Sequence, residues 1–217
     1  MDNISSNIHH ITLLRHGQSV GNAEGYHQGQ VEFPLTDHGR AQSLALAQYW
    51  QSKGTIFDNA IASPQSRAKE TAQIIAGHLD LSLSFDPIWM ERDNGALGGR
   101  HHSEVTELND QRIFRSPYDP VGETGESQWE LYLRAGRALQ SLINQPPSRY
   151  LVISHGGLLN LVMYAVLGIN PQAFYHGPRF RFQNSAFTML SYYPSRHQWV
   201  VHVTNHHPHL DDSEIYL

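Results

Sequence analysis

The residues best suited to chemistry in this chain stand at the end of an apolar run, where Arg15, His16 and Gly17 follow Ile11–Leu14. Such a run forms a buried strand, and in an open α/β sheet the carboxyl ends of strands face the crevice where ligands bind. A neutral imidazole nitrogen can act as a nucleophile, and a guanidinium offers a fixed fork of donors to phosphate oxygens. The glycine lets the backbone come close to a ligand. The spacing therefore suggests phosphoryl transfer to His16.

A second apolar run, Tyr150–Ser154, also ends in a histidine and is followed by two glycines. A helical pattern continues from there to Leu167, so the amides of Gly156 and Gly157 open a helix. Backbone amides at a helix N-terminus bind anions, which predicts an anion site beside His155. If the two strands are neighbours, both histidines face one crevice.

Three side chains between these strands are further candidates, and each has a plainer alternative. Arg67 lies in the first turn of a predicted helix, where a cation gains nothing from the helix dipole unless it contacts a bound anion. It could equally be an exposed helical arginine. Glu91 follows an apolar, aromatic patch that would favour the neutral carboxyl a general acid needs, or it could pair with Arg92 in a loop. Asn22 could donate to a phosphate oxygen or serve in a turn.

The elements that must position these residues alternate along the chain. The pattern predicts strands over residues 11–15, 59–63, 81–85, 150–154, 187–193 and 199–203. It predicts helices from a cap at Thr36 or Asp37 to residue 52, from about 66 to 79, from 123–127 to 143, and over 158–167. The polar loop 21–33 should lie over the crevice, and residues 100–125 look like an inserted excursion with a short helix over 103–108. These two segments are the expected specificity elements.

Composition narrows the function classes. The 217 residues, 40% of them hydrophobic, fit one globular domain spanning 1–217 with that insertion. The formal net charge of −5 gives no field for nucleic acid. The chain has no cysteine, which excludes disulfides, thiol catalysis and cysteine-ligated zinc. The N-terminus lacks a signal peptide pattern, and the longest apolar stretch is too short for a bilayer. We expect a cytoplasmic protein without a membrane partner.

Taken together, the motifs resemble the histidine phosphatase superfamily, the phosphoglycerate mutase-like group. The resemblance runs from about residue 11 to 168 and rests on motifs that occur in the family's order. They are Leu14–Ser19 with Asn22, Pro34–Gln42, Ser63-Pro64 with Arg67-Ala68 and Thr71-Ala72, Glu91 before Gly95, Gly125–Ser127, and Ser154–Gly157.

The resemblance implies a three-layer α/β/α sandwich with a mostly parallel sheet. It implies that His16 is the nucleophile that becomes phosphorylated and that Glu91 donates a proton to the leaving oxygen. It further implies that a phosphoryl pocket is formed by Arg15, Arg67 and His155, helped by Asn22 and the Gly156 amide. No metal and no cofactor are required by this scheme, and the partner is a small phosphorylated molecule.

The leading interpretation is a phosphatase acting on small phosphomonoesters. The segment after Glu91 partly echoes family mutases, but Asp93-Asn94 stands where mutases typically carry His-Tyr. The region after Arg100 is also shorter than the mutase insertion and lacks its adjacent basic pair. A mutase-type phosphotransferase and a non-catalytic module that binds a phospho-ligand remain the alternatives. The sequence identifies neither the substrate nor the oligomeric state.

Overall fold

A six-stranded sheet forms the centre of the computed structural model, which describes residues 7–105 and 116–210. Its spatial order is β3-β2-β4-β1-β5-β6. Strands β1 to β4 are parallel, β5 runs antiparallel to β1, and β6 runs antiparallel to β5. The mostly parallel sheet is thereby confirmed. The strands are β1 (His9–Arg15), β2 (Asn59–Ala62), β3 (Leu83–Phe85), β4 (Arg149–Ser154), β5 (Phe187–Tyr193) and β6 (Gln198–His206).

Helices cover both faces of this sheet because successive residues of each strand point to opposite sides. On one face Leu13 packs in a core with residues of α4 and α5, and on the other Leu14 packs with residues of α2 and α3. Both leucines are fully buried. The three-layer α/β/α architecture is confirmed. The helices are α1 (Val20–Ala23), α2 (Asp37–Ser52), α3 (Ser66–Leu79), α4 (Gln128–Ile143) and α5 (Gly156–Leu167).

Two of these helices begin at side-chain caps that the sequence pattern could locate. Thr36 caps α2, since its hydroxyl accepts the Gly39 N–H at 3.0 Å, and Asp37 is the first helical residue. Ser127 and Glu130 form a reciprocal capping box at the start of α4. A hydroxyl cap satisfies amides that have no partner inside the helix, which fixes where each helix starts.

Several boundaries differ from the sequence-based expectation. Helix α1 lies in the segment predicted as loop, because Ser19 and Asn22 close a capping box that stabilises one short turn. Strand β6 extends to residue 206 since pairing with β5 continues beyond 203. Strand β3 begins at residue 83 rather than 81.

The excursion at residues 100–125 is described in part. A single 3₁₀ turn, His102–Glu104, stands where the helix over 103–108 was predicted, and residues 106–108 lie outside the described ranges. The single-domain organisation and the insertion therefore stay predictions. Within residues 7–105 and 116–210, no helix has both the length and the apolar character needed to cross a membrane.

Candidate active site

The two strand-end histidines lie side by side. Strands β1 and β4 are adjacent, with Arg15 paired to Ser154, and the His16 N–H donates to the Ser154 carbonyl at 3.0 Å. The rings of His16 and His155 are both buried, with centroids 5.1 Å apart. The two strands are neighbours, as that expectation required, and both histidines stand at the same edge of the sheet because parallel neighbouring strands end there.

The hydrogen bonds around His16 determine which ring nitrogen is available. Its Nδ1 lies 2.7 Å from the Gly17 carbonyl, and since a carbonyl can only accept, Nδ1 carries the ring proton. Nε2 of the neutral ring therefore keeps its lone pair. The Gly17 peptide is itself fixed, because its N–H donates to Thr71 and its carbonyl also accepts from Asn184. The sequence analysis assigned no role to Asn184.

Gly17 is required by packing against α2. A Cβ at Gly17 would collide with the Gly39 carbonyl, and a Cβ at Gly39 would collide with the Gln18 carbonyl. The structure thus gives a packing reason for this glycine, while close approach of the backbone to a ligand stays a prediction. The close contact lies between the residues that follow β1 and the first turn of α2. This contact holds the His16 backbone in place.

Arg67 is buried beside His16, so the alternative of an exposed helical arginine is excluded. Its Nη2 and Nη1 donate to the carbonyls of Gly29 at 2.7 Å and Val31 at 3.0 Å, which ties α3 to the loop over the crevice. Arg15 donates to the Phe182 carbonyl at 2.7 Å.

Three buried donor atoms near His16 have no hydrogen-bond partner among the described residues. They are Nε of Arg15, Nε of Arg67 and Nδ1 of His155. At His155, Nε2 lies 2.8 Å from the Ser63 hydroxyl, which accepts the Gln65 N–H and can give its own proton to that nitrogen. In that tautomer Nδ1 carries the ring proton. Because buried donors nearly always have partners, this cluster is suited to an anion such as a phosphoryl group.

The electrostatic environment keeps both histidines neutral. Burial lowers the pKa of His16 well below 6.5, and the charges of Arg67 and Arg15 lower it further. Burial, followed by the charge of Arg67, likewise lowers the pKa of His155 well below 6.5. Burial lowers the pKa of Arg15 to about 10, a value at which the guanidinium is still charged at neutral pH. The site thus combines a neutral nucleophile with two cations.

The buried neutral histidines predict a loss of stability in mild acid. An unfolded histidine takes up a proton below its ordinary pKa of 6.5, whereas the folded pKa values of His16 and His155 lie well below that. From about pH 7.5 to about pH 5.5 the free energy of unfolding should fall by roughly 2–3 kcal/mol from this pair. Urea denaturation at the two pH values measures the change.

The variant His16→Ala provides the control for that measurement. It removes one of the two buried rings, so about half of the decrease assigned to the pair should disappear. A free energy of unfolding that is equal at the two pH values in the unmodified chain would contradict the neutral burial of these side chains.

Glu91 is held by backbone amides. Its Oε2 accepts the Gly157 N–H and its Oε1 accepts the Leu158 N–H, both at 2.9 Å, at the start of α5. The expectation that apolar groups surround this carboxyl is wrong, because the tertiary fold places it on a helix N-terminus that the local sequence does not reveal. The predicted alternative, a pair between Glu91 and Arg92, involves only the backbone of Arg92. The Arg92 N–H donates to Oε1, while the Arg92 guanidinium donates to Asn94.

Gln65 and Arg134 hold Glu91 in position, and neither residue was predicted from the sequence. Gln65 is buried, and its side chain accepts the Glu91 N–H at 2.7 Å and donates to the Gly29 carbonyl at 3.1 Å. Arg134 donates to the carbonyls of Met90 and Glu91 and pairs with Glu126 at 2.6 Å. The only sequence signal was the Gly125–Ser127 motif, which contains the acidic partner of Arg134.

The two predicted helpers of phosphate binding lie at the margin of this arrangement. Asn22 Oδ1 accepts from Ser19 and from Asn184, and the residue borders a separate depression on the far side of Arg15. Gly156 packs against the Arg15 guanidinium, where a Cβ would stand 3.5 Å from Nε. Their roles in phosphate binding stay predictions.

Arg15, His16, Arg67 and Glu91 border a cavity of about 250 Å³. The segment from residue 26 to 29 lines it, as expected for the loop over the crevice. The lining residues are Arg15, His16, Tyr26, His27, Gln28, Gly29, Arg67, Glu91, Arg92, Asn94, His102 and Gly157.

Known proteins resemble this chain in sequence and in fold. Over 208 residues, covering 93% of this chain and 94% of the relative, the chain is 32% identical to a protein named probable phosphoglycerate mutase GpmB from Cronobacter sakazakii. A phosphoserine phosphatase from Entamoeba histolytica, solved with phosphoserine, superposes with a TM-score of 0.79 at 26% identity, covering 93% of this chain and 99% of that one. Bacillus stearothermophilus YhfR superposes with a TM-score of 0.80 at 23% identity, with the same coverage.

The family model that describes the histidine phosphatase superfamily, branch 1, matches residues 11–206. This range contains both strand-end histidines, both buried arginines and Glu91. The chain therefore belongs to branch 1 of the histidine phosphatase superfamily.

Proposed function

We propose that this protein is a phosphatase that hydrolyses small phosphomonoesters through a phosphohistidine on His16. The observation that carries the proposal is the neutral His16 ring, whose Nδ1 donates to the Gly17 carbonyl, beside three buried donors that have no partner among residues 7–105 and 116–210. A nucleophile with a free lone pair next to unsatisfied cationic donors is what attack on a phosphoryl group requires.

In the first half-reaction Nε2 of His16 forms a bond to phosphorus while the bond from phosphorus to the leaving oxygen breaks. Negative charge spreads over the equatorial oxygens, where Arg15, Arg67 and His155 donate hydrogen bonds. Each fixed donor is worth roughly 2.7–4 kcal/mol. Protonated Glu91 gives its proton to the leaving oxygen.

In the second half-reaction the Glu91 carboxylate takes a proton from water, and the water oxygen attacks the phosphohistidine. The bond between nitrogen and phosphorus breaks, phosphate leaves, and His16 returns to its neutral form with Nδ1 still donating to Gly17. The cycle balances with water as the only co-reactant. The proposal includes no cofactor and places the enzyme in the cytoplasm.

The alternative is a phosphoglycerate mutase activity, which the name of the GpmB relative suggests. A mutase must retain its phosphorylated intermediate and exclude water. Asp93-Asn94 in place of the mutase His-Tyr and the short segment after Arg100 favour hydrolysis. Retention of the five catalytic side chains argues against a module that only binds its ligand.

The test is steady-state release of inorganic phosphate from p-nitrophenyl phosphate and a panel of phosphorylated metabolites, with EDTA present. Turnover in EDTA supports a metal-independent hydrolase. If phosphate is not released from any of them, conversion of 3-phosphoglycerate to 2-phosphoglycerate is measured next. Activity in that second assay alone would identify a mutase, and silence in both would leave the binding module.

A further inference from the structure

A second cavity of about 450 Å³ opens beside the first and is not used by the phosphoryl chemistry. The two cavities share four lining residues, which are His27, Arg92, Asn94 and Gly157. The volume falls in the range of small-molecule sites, roughly 300–1,000 Å³. A substrate bound at His16 can therefore extend into the second cavity without leaving the protein.

The walls of this second cavity are largely apolar. Leu131 from α4 and Leu161 from α5 form its floor, and Leu97 and Val121 come from the segments that cover it. Tyr164 also lines it, with its hydroxyl committed to the Pro178 carbonyl at 2.8 Å. Such walls gain free energy by removing apolar surface from water.

The charges that border the second cavity are of one sign. Arg92 and Arg179 are the charged lining residues, and none of the described lining residues is an aspartate or a glutamate. A cationic group on a ligand would find no carboxylate there. The lining thus selects an apolar group without positive charge.

The position of Glu91 decides which part of a substrate enters this cavity. The leaving oxygen must lie within hydrogen-bond reach of the proton donor, and Glu91 is bound to the Gly157 amide. Gly157 borders both cavities. The leaving group therefore departs at their junction, while the phosphoryl group stays with His16.

We propose that the second cavity is a leaving-group subsite, and that the substrates of this enzyme are monoesters of a bulky, largely apolar alcohol without positive charge. The proposal rests on the phosphatase function proposed above. It makes 3-phosphoglycerate a weaker ligand than a monoester with a long apolar body, because its small body would cover little of the apolar wall.

The probes are alkylphosphonates from methyl to octyl, which cannot be hydrolysed, titrated by calorimetry into the full chain. Each fully buried methylene strengthens binding about fourfold, and partial burial gives about twofold. Octylphosphonate should thus bind at least about 100-fold more tightly than methylphosphonate, and more tightly than 3-phosphoglycerate. A gain below about tenfold across the series would overturn the subsite.

Leu97→Asn places a polar amide in the wall of the subsite, and Leu44→Asn makes the same change at an exposed site on α2. The ratio of octyl to methyl affinity should fall at least about fivefold in Leu97→Asn and stay unchanged in Leu44→Asn. Equal ratios in the two variants would overturn the assignment of this wall. Circular dichroism establishes that each variant is folded.

These outcomes separate the subsite from the phosphatase function. Affinity that rises with chain length in a protein without turnover would support the subsite and overturn hydrolysis. Turnover of p-nitrophenyl phosphate with a flat phosphonate series would support hydrolysis and overturn the subsite. No phosphonate binding together with no turnover of p-nitrophenyl phosphate would overturn both.

Discussion

Replacing His16 by alanine is expected to lower kcat for p-nitrophenyl phosphate by at least about 10⁴-fold, because the nucleophile is lost. Phosphate binding through Arg15 and Arg67 should persist, so inorganic phosphate should still bind to the variant. Steady-state phosphate release and calorimetry with inorganic phosphate measure the two effects.

The covalent intermediate gives an independent readout of the same residue. Rapid quenching of the unmodified enzyme with radiolabelled substrate should yield protein-bound phosphate that is stable in alkali and released by acid, as expected for a nitrogen–phosphorus bond. His16→Ala should yield no label. His78→Ala, on the outer part of α3 where the ring contacts Gln51, is the matched control and should behave like the unmodified enzyme. Label that persists in His16→Ala would refute the assignment of the nucleophile.

Replacing Glu91 by glutamine is expected to lower kcat/KM for butyl phosphate by about 10²–10⁴-fold. The amide keeps the shape of the side chain but cannot give a proton to the departing alkoxide. p-Nitrophenolate leaves without a proton, so the loss for p-nitrophenyl phosphate should stay within about tenfold. The parameter kcat/KM is the one to compare, since it covers the steps up to departure of the leaving group.

Two further variants distinguish loss of the Glu91 proton from displacement of the Glu91 carboxyl. Glu24→Gln removes an exposed carboxylate and should leave both substrates unaffected. Gly157→Ala introduces a Cβ that would collide with Glu91 Oε1, so the carboxyl must move while its chemistry is retained. Gly157→Ala should therefore share the selective loss for butyl phosphate. Equal losses for the two substrates in Glu91→Gln would rule out a role as proton donor.

The parts of the site that the sequence predicted are those marked by local patterns. An apolar run that ends in Arg15 and His16 is a signal within seven residues, and the same holds for the run that ends in His155. Their meeting was conditional on strand order, which local patterns do not contain. The β1–β4 pairing in the sheet supplied that missing fact and brought the two rings to 5.1 Å.

Side chains that act through distant contacts could not be predicted in the same way. Arg67 could be read from its sequence position as exposed, yet it is buried because Gly29 and Val31 accept from its guanidinium. Gln65 and Arg134 carry no motif of their own, and their function as supports of Glu91 exists only once α3 and α4 are packed. Burial and partner identity are properties of the tertiary structure.

The sequence by itself indicated the alternation of strands and helices, a candidate nucleophile and candidate cations, because strand ends, helix caps and the spacing of a few residues carry that information; the layered arrangement was implied by the family resemblance. Only the tertiary structure decided the surroundings of Glu91 and the nature of the leaving-group cavity. A carboxyl that follows an apolar patch in the chain came to rest on the amides of α5, and an apolar space formed between α4, α5 and covering segments. Both outcomes depend on contacts between residues far apart in sequence, which no local pattern encodes.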